Sequence, residues 1–533
     1  MKTFYSFLLV MSSVYLHSQC NGAYMAVLDA NNVSTDFFLP EALFWDLNNS
    51  GYRVPKIDAG QGVTKTSIFA GSIWMGGLDE TDNLKVAAGT YRQSGTDFFP
   101  GPLNDEGETL ENGCTDFNYA WPITQSEVQN FVQSGYNEEF ITDNIRNWPG
   151  RNNPLFNMFD LPQNLDLAPF VDTNNDNTYN PLDGDYPIAK GTQNFWWVFN
   201  DIADDHALTN SEPLGMQIGG YCYSVASENE ALDNTTFWEF ELINKSQLNL
   251  SNFHMGFWVD FELGNYLDDY LGGLPNQNIA YCYNQDDYDD GTAGYGYEIP
   301  IVGVEVLEGL KDDNNNDIGL SSFIIYNNNL PIMSTPETKN HFYNYLKGLQ
   351  KDGTPIVNPV TNTETTFMYP GSLVENEEWS LCTDESALIS GTSKTVLSSG
   401  PSFMASGQKT TVKYAIYWIP DVPHPCPDVS PYLQNYSSYA HELIEQNIAL
   451  SSMEIEAQNI IVSPNPTSKQ VSINSPQQAF NQIDIYTLNG QWVQSHKGFT
   501  NQLNIENLAN GQYLISFAKN KKRIATQKLV VLR

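Results

Sequence analysis

Between residues 237 and 243, Trp238, Phe240 and Leu242 alternate with Glu239 and Glu241. A period of two puts one set on each side of a strand, so this stretch reads as a half-buried strand. The alternation recurs in Met255, Phe257, Val259 and Phe261 against His254, Gly256, Trp258 and Asp260. It recurs again in Val302, Val304 and Val306, and in Val412, Tyr414, Ile416 and Trp418. Together these predict antiparallel sheet with one face toward water. Residues 67–78 form an apolar run punctuated by glycine, which suits a strand close to another backbone; residues 86–92 add another. Helical spacing appears over 125–146, with Thr124 and Ser126 as caps and Trp148-Pro149-Gly150 as the stop. A second helix is predicted over 336–349, capped by Thr335 with Pro336 in its first turn, and a third over 431–450. From residue 459, short alternating segments recur about every eight to twelve residues, with turns at Asn489-Gly490 and Asn510-Gly511. That is the rhythm of a small β-sandwich.

The predicted class is therefore mostly β. A large, multi-stranded β-sandwich-type domain with a few helices occupies residues 20–450, with room for two sub-domains. A linker at 451–458 leads to a small Ig-like β-sandwich at 459–533. Aromatic content of 13% against 17% charged residues agrees with sheets rather than helix bundles. Residues 1–19 read as a secretory signal peptide, with Lys2 ahead of a short apolar run. No later stretch is apolar for long enough to predict a transmembrane helix. The six cysteines permit three disulfides in an exported chain.

Charge refines this division. The chain carries −38, which excludes nucleic acid as a partner, since phosphates require Lys and Arg. From residue 459 onward there are eight basic residues and two acids, so the tail is +6 and the remainder is −44. A break of that size marks a segment with its own role.

The most specific chemical signal lies in residues 171–187. Asp172, Asn174, Asp176, Asn180 and Asp183 fall at positions 1, 3, 5, 9 and 12 of a twelve-residue loop, with the Thr178 carbonyl at position 7. That is the ligand spacing of an EF-hand calcium loop, and a hard cation coordinated by six to eight oxygens requires such a curl. Position 6 is Asn177 rather than glycine, but Asn tolerates the left-handed turn. A second acidic group, Asp260, Glu262, Asp268 and Asp269, is a further calcium candidate, because unpaired carboxylates so close together repel one another. The runs at 286–290 and 313–317 read as solvated turns. Catalytic motifs are missing: there is no GxSxG, no phosphate loop and no dinucleotide fingerprint. His441-Glu442 opens a zincin-like run that residue 445, a glutamate, breaks. Trp196, Trp197 and Trp258 are candidates for stacking on sugars, although aromatics in strands more often fill cores.

The tail brings a resemblance. Ser463-Pro464-Asn465-Pro466, Ile485-Tyr486-Thr487-Leu488-Asn489-Gly490, Leu508-Ala509-Asn510-Gly511-Gln512-Tyr513 and Lys528-Leu529-Val530-Val531 resemble the type A C-terminal sorting domain of the type IX secretion system. The resemblance implies a Bacteroidota protein whose residues 459–533 engage that secretion machinery and which ends outside the cell or on its surface. Segments such as Ile68-Phe69-Ala70-Gly71, Phe98-Phe99-Pro100-Gly101-Pro102-Leu103 and Gly184-Asp185-Tyr186-Pro187 resemble uncharacterised cargoes of the same route, a family that implies no reaction. The expected function is a calcium-stabilised binding or adhesion protein of the cell exterior, taking a glycan or protein ligand. The alternatives are a secreted hydrolase acting on polysaccharide or protein, and a subunit of an extracellular fibre or coat.

Overall fold

The computed structural model describes residues 24–56, 64–375, 377–384, 393–458, 460–475, 480–487, 492–519 and 522–533. The expected signal peptide, Cys20 and the Asn489-Gly490 turn lie outside the described residues. Strands make up 39% of the chain and helices 12%, so the mostly β class holds. The chain divides into two compact units, Met1–Tyr439 and Ala440–Arg533.

In the first unit the principal strands are β1 (Thr66–Leu78), β2 (Gln193–Asn200), β3 (Met216–Ser224), β4 (Thr235–Asn244), β5 (Leu250–Phe261), β6 (Ile301–Glu308), β7 (Ser322–Tyr326), β8 (Lys394–Met404) and β9 (Lys409–Ile419). The helices longer than a single turn are α1 (Gln125–Gln133), α2 (Lys339–Leu346) and α3 (Ser430–Gln458), the last continuing into the second unit. One sheet runs Met25–Leu28, Ser34–Phe38, Ala42–Leu43, β1, β5, β8, β7. The other runs Asp269–Leu274, Ile279–Asn284, β6, β9, β4, β3, β2, Phe99–Pro100. Pairings within both are antiparallel.

The two sheets share one apolar core. Phe257 of β5 stacks on Tyr414 of β9 at 4.5 Å and meets Phe240 of β4 at 6.3 Å. Phe44 meets Trp238 edge-on at 5.1 Å. The period-two pattern thus assigned the inward faces of β4, β5 and β9 as found.

The outward faces depart from the half-buried expectation. Trp258 points away from Phe257 yet is fully buried, with its indole donating to Tyr326 at 2.8 Å. Helix α2 lies over this side of the first sheet, Phe342 meeting Trp74 at 4.7 Å. It sits this close because Gly76 and Gly256 offer bare backbone: a Cβ there would meet the Tyr343 ring at 2.8 Å and Leu346 at 2.6 Å. Over the second sheet runs the segment 148–190, tied down by Tyr221 Oη donating to the Ile188 carbonyl at 2.7 Å.

The helices differ from expectation at their ends. Thr124 and Glu127 form a reciprocal capping box on α1. The helical stretch expected to reach 146 breaks after Gln133, where Gly135 and Tyr136 turn left-handed, and resumes as a 3-10 turn and one turn at Asp143–Arg146. Helix α2 starts at Lys339 on a cap from Thr338, whose hydroxyl accepts from His341 N, rather than from Thr335. Helix α3 runs through 451–458, the stretch read as a linker.

Cys382 and Cys426 form a disulfide with 6.0 Å between Cα atoms, and Cys114 is also disulfide-bonded. Cys222 and Cys282 are free and buried. They sit in β3 and Ile279–Asn284, separated in the sheet by β6, β9 and β4, so they cannot pair with each other.

The second unit has a three-stranded sheet of Ile461–Ser463, Gln470–Asn474 and Gln502–Asn504. Its four-stranded partner orders Trp492–Lys497, Gln482–Thr487, Gly511–Lys519 and Lys522–Val531. Val471, Ile473 and Leu503 from the first meet Ile483, Ile485, Ile515, Phe517 and Leu529 from the second in a separate core. Asn465 of the Ser-Pro-Asn-Pro run anchors the last strand from both ends of its amide: Oδ1 accepts from Val530 N at 2.8 Å, and Nδ2 donates to the Lys528 carbonyl at 2.6 Å.

Candidate functional site

The outward face of the second sheet carries an ordered row of side chains. Cross-strand register pairs Trp196 with Tyr221, Tyr221 with Glu239, Glu239 with Lys413 and Lys413 with Glu308. One row therefore spans β2, β3, β4, β9 and β6. The next pairs Gly219 with Glu241 and Glu241 with Thr411. These rows follow from the same alternation that turns Trp197, Cys222, Trp238 and Tyr414 into the core.

Above the rows, residues 151–190 leave a half-open cleft of about 480 Å³ between the overlying segment and the sheet. Its floor is Trp196, Gly219, Tyr221, Glu239, Glu241, Thr411 and Lys413. Its walls include Phe170, Ile188, Lys190, Arg151, Asp166 and two residues of the Asp-rich loop, Asp172 and Asn177. Gly219 is the one position of this floor that presents bare backbone. A Cβ there would find Trp196 Nε1 at 3.6 Å and the Glu241 Cβ at 3.7 Å, ordinary contact distances.

The cleft is charged, and each of its cations sits in an ion pair. Lys190 pairs with Glu239 at 2.5 Å and lies 4.9 Å from the Tyr221 ring centre. Lys409 pairs with Glu241 at 2.7 Å, Lys413 with Glu308 at 2.6 Å and Arg151 with Asp166 at 2.6 Å. Of the tryptophans considered for sugar stacking, only Trp196 faces this cleft; Trp197 and Trp258 belong to the core.

The first half of the Asp-rich loop is a run of side-chain-to-backbone turns. Asp172 accepts from Asn175 N at 2.7 Å and from Asn177 N at 2.7 Å through its two oxygens. Asn174 Oδ1 accepts from Asp176 N at 3.0 Å, and Asp176 Oδ1 from Thr178 N at 2.8 Å. Asn175 and Asn177 take the left-handed conformation, with φ of 60° and 62°. The second half is arranged differently. Asn180 and Asp183 hydrogen-bond to each other at 2.7 Å across a 3-10 turn. Asp185, which the spacing did not single out, closes the loop by accepting from Thr173 N at 2.8 Å and Asn180 N at 2.9 Å. Burial pushes its carboxyl above the ordinary range.

The second acidic group separates into two neighbourhoods. Asp260 accepts from Tyr91 Oη, and Glu262 and Lys394 lie near it. Burial raises Asp260 to about 6 and Glu262 to about 7, the charge of Asp260 adding to the rise in Glu262. Asp268 and Asp269 instead face Asp289, where burial again raises all three. Asp289 comes from the run read as solvated; it is buried because it folds the hairpin, accepting from Tyr295 N at 2.6 Å and Asn265 N at 3.1 Å. Among the described residues, no three His, Cys, Asp or Glu side chains gather in a metal-holding group, and no helix is long and apolar enough to cross a membrane.

Comparison with known proteins addresses the second unit. No curated protein matches the chain. A solved polysaccharide lyase aligns over 59% of this chain at 10% identity with a TM-score of 0.19, and the chain spans 34% of that structure's length. Residues 462–532 match the family model of a secretion system C-terminal sorting domain. The chain is therefore an exported type IX secretion cargo that carries a C-terminal sorting domain.

Proposed function

We propose that this cargo is a binding protein of the cell exterior and that its ligand seats in the cleft over β2, β3, β4 and β9. The observation that carries this reading is the cleft of about 480 Å³ over the sheet, whose floor presents bare backbone at Gly219 between Trp196 and Glu241. Glycine within a strand gives up packing, and a close approach by a ligand explains its use here. The volume lies within the range of small-ligand pockets. Glu239 and Glu241 each hold a lysine, so they act as anchors rather than as an acid and a base awaiting substrate.

Calcium belongs to the same reading. Asp172, Asn174 and Asp176, with the Thr178 carbonyl, supply hard oxygen donors on one curl, as a calcium loop requires. Asp172 also lines the cleft, so an ion there stabilises the wall against which the ligand rests.

Two measurements test these statements. Gly219→Val places two methyl groups on the cleft floor at a residue that strands favour; it is expected to remain folded, with a melting temperature close to that of Gly219→Ala, while ligand binding weakens by at least about tenfold. Unchanged affinity refutes the cleft. Added calcium is expected to raise the melting temperature of metal-stripped protein, by mass action on the folded state, and to lose that effect in Asp176→Ala. Equal responses in both proteins refute the loop as the calcium site.

A further inference from the structure

We infer that the cleft selects an uncharged saccharide, a conclusion that rests on the binding role proposed for it. The floor is the face of interior strands whose backbone groups are already paired on both sides, β3 between β2 and β4, and β4 between β3 and β9. A peptide that adds as an extra strand needs an unpaired edge and finds none in this floor. The ligand must be read by side chains.

Those side chains include four cations, of which Arg151, Lys190 and Lys409 pair with Asp166, Glu239 and Glu241 of the same lining and Lys413 pairs with Glu308 beside it, while Asp172 is the carboxylate assigned to the calcium ion. The rest of the large unit is strongly acidic, so the cleft is a locally neutral area on an acidic molecule. Each of its four cations also sits in an ion pair of 2.5–2.7 Å. At the centre of the row an anionic ligand would have to draw Lys190 from Glu239, leaving that buried carboxylate uncompensated. A cationic ligand would have to displace a lysine.

A hydroxyl group needs neither. It donates to a carboxylate oxygen and accepts from an ammonium hydrogen while the ion pair persists. Ion pairs fixed in rows therefore present alternating donors and acceptors to a polyol. Trp196 and Tyr221 are buried beneath the floor, and it is the half-buried Phe170 and Ile188 of the wall that give the apolar face of a sugar ring a surface to cover. Gly219 lets that ring approach the sheet.

The test uses the full chain, titrated calorimetrically with two panels of short oligosaccharides at low and high salt: neutral hexose and pentose oligomers, and uronate oligomers of matching length. Acidic and basic peptides form a third panel. A neutral oligomer is expected to bind with affinity that changes less than about threefold with salt, since no ion pair forms or breaks, and Gly219→Val is expected to weaken it at least about tenfold. Lys409→Gln, which opens one pair and leaves Glu241 unmatched, is expected to weaken the neutral oligomer without creating affinity for uronates. If uronates or peptides bind best, with strong salt dependence and sensitivity to Gly219→Val, the ligand class is overturned while the cleft stands. If binding of every panel survives Gly219→Val, or no panel binds, the cleft itself is overturned as well.

Discussion

Asp260, in β5, and Glu262, just past its end, show how burial sets the chemistry of single residues. Their ordinary values of 3.8 and 4.5 rise to about 6 and about 7, chiefly because burial penalises the charged form. The fold thus binds protons more readily than the unfolded chain does. The stabilisation this provides is complete below the unfolded values, near pH 4, and is lost as pH rises through about 7. Glu262→Gln is expected to leave stability at pH 4 nearly unchanged and to raise it at pH 8, on the order of 1–2 kcal/mol after allowance for partial exposure. Urea melts across that range check this, and superimposable pH profiles for the two proteins would exclude it. The acidic grouping was legible in the sequence. Its split into two neighbourhoods was not, since Tyr91, Lys394 and Asp289 approach from distant parts of the chain. The cap of α2 is a smaller case: Thr335 and Thr338 are equally good caps by residue type, and only the path of the preceding turn selects Thr338.

Strand β3 shows at the scale of one element what alternation implies. Gly219 and Gly220 are neighbours on opposite faces. A Cβ at 219 meets nothing closer than 3.6 Å, whereas at 220 it would lie 2.2 Å from Cε2 of Trp197 in the core. Gly219→Ala is expected to change stability by less than about 0.5 kcal/mol, and Gly220→Ala to cost about 1–3 kcal/mol through overpacking. Thermal melts of the pair decide this; equal losses would mean that the two faces are packed alike. The strands themselves were plain in the sequence because period two is a local property. Their burial on both faces was not, because α2 and the segment 148–190 cover them from elsewhere in the chain.

For the whole molecule, separate cores in the two units match the charge division between an acidic body and a +6 tail. Each core is built from residues of its own unit, so the tail is not needed to complete the apolar core of the body. Removing residues 459–533 is therefore expected to leave the main melting transition of the body in place while the protein accumulates in the periplasm. Fractionation after expression in a secreting host checks export, and normal release of the truncated chain would rule out the tail as the export signal.

Legible without the fold was whatever depends on near neighbours: which face each strand residue takes and the contiguous motifs of the sorting tail. Side-chain alternation and short-range hydrogen bonding require no knowledge of the remaining chain. Tertiary structure alone decided the cleft. Trp196, Gly219, Glu241 and Thr411 come from four strands, and no spacing in the sequence relates them. They share one floor because the strand order β9, β4, β3, β2 and its register set them side by side, and because the segment 148–190 leaves space above them.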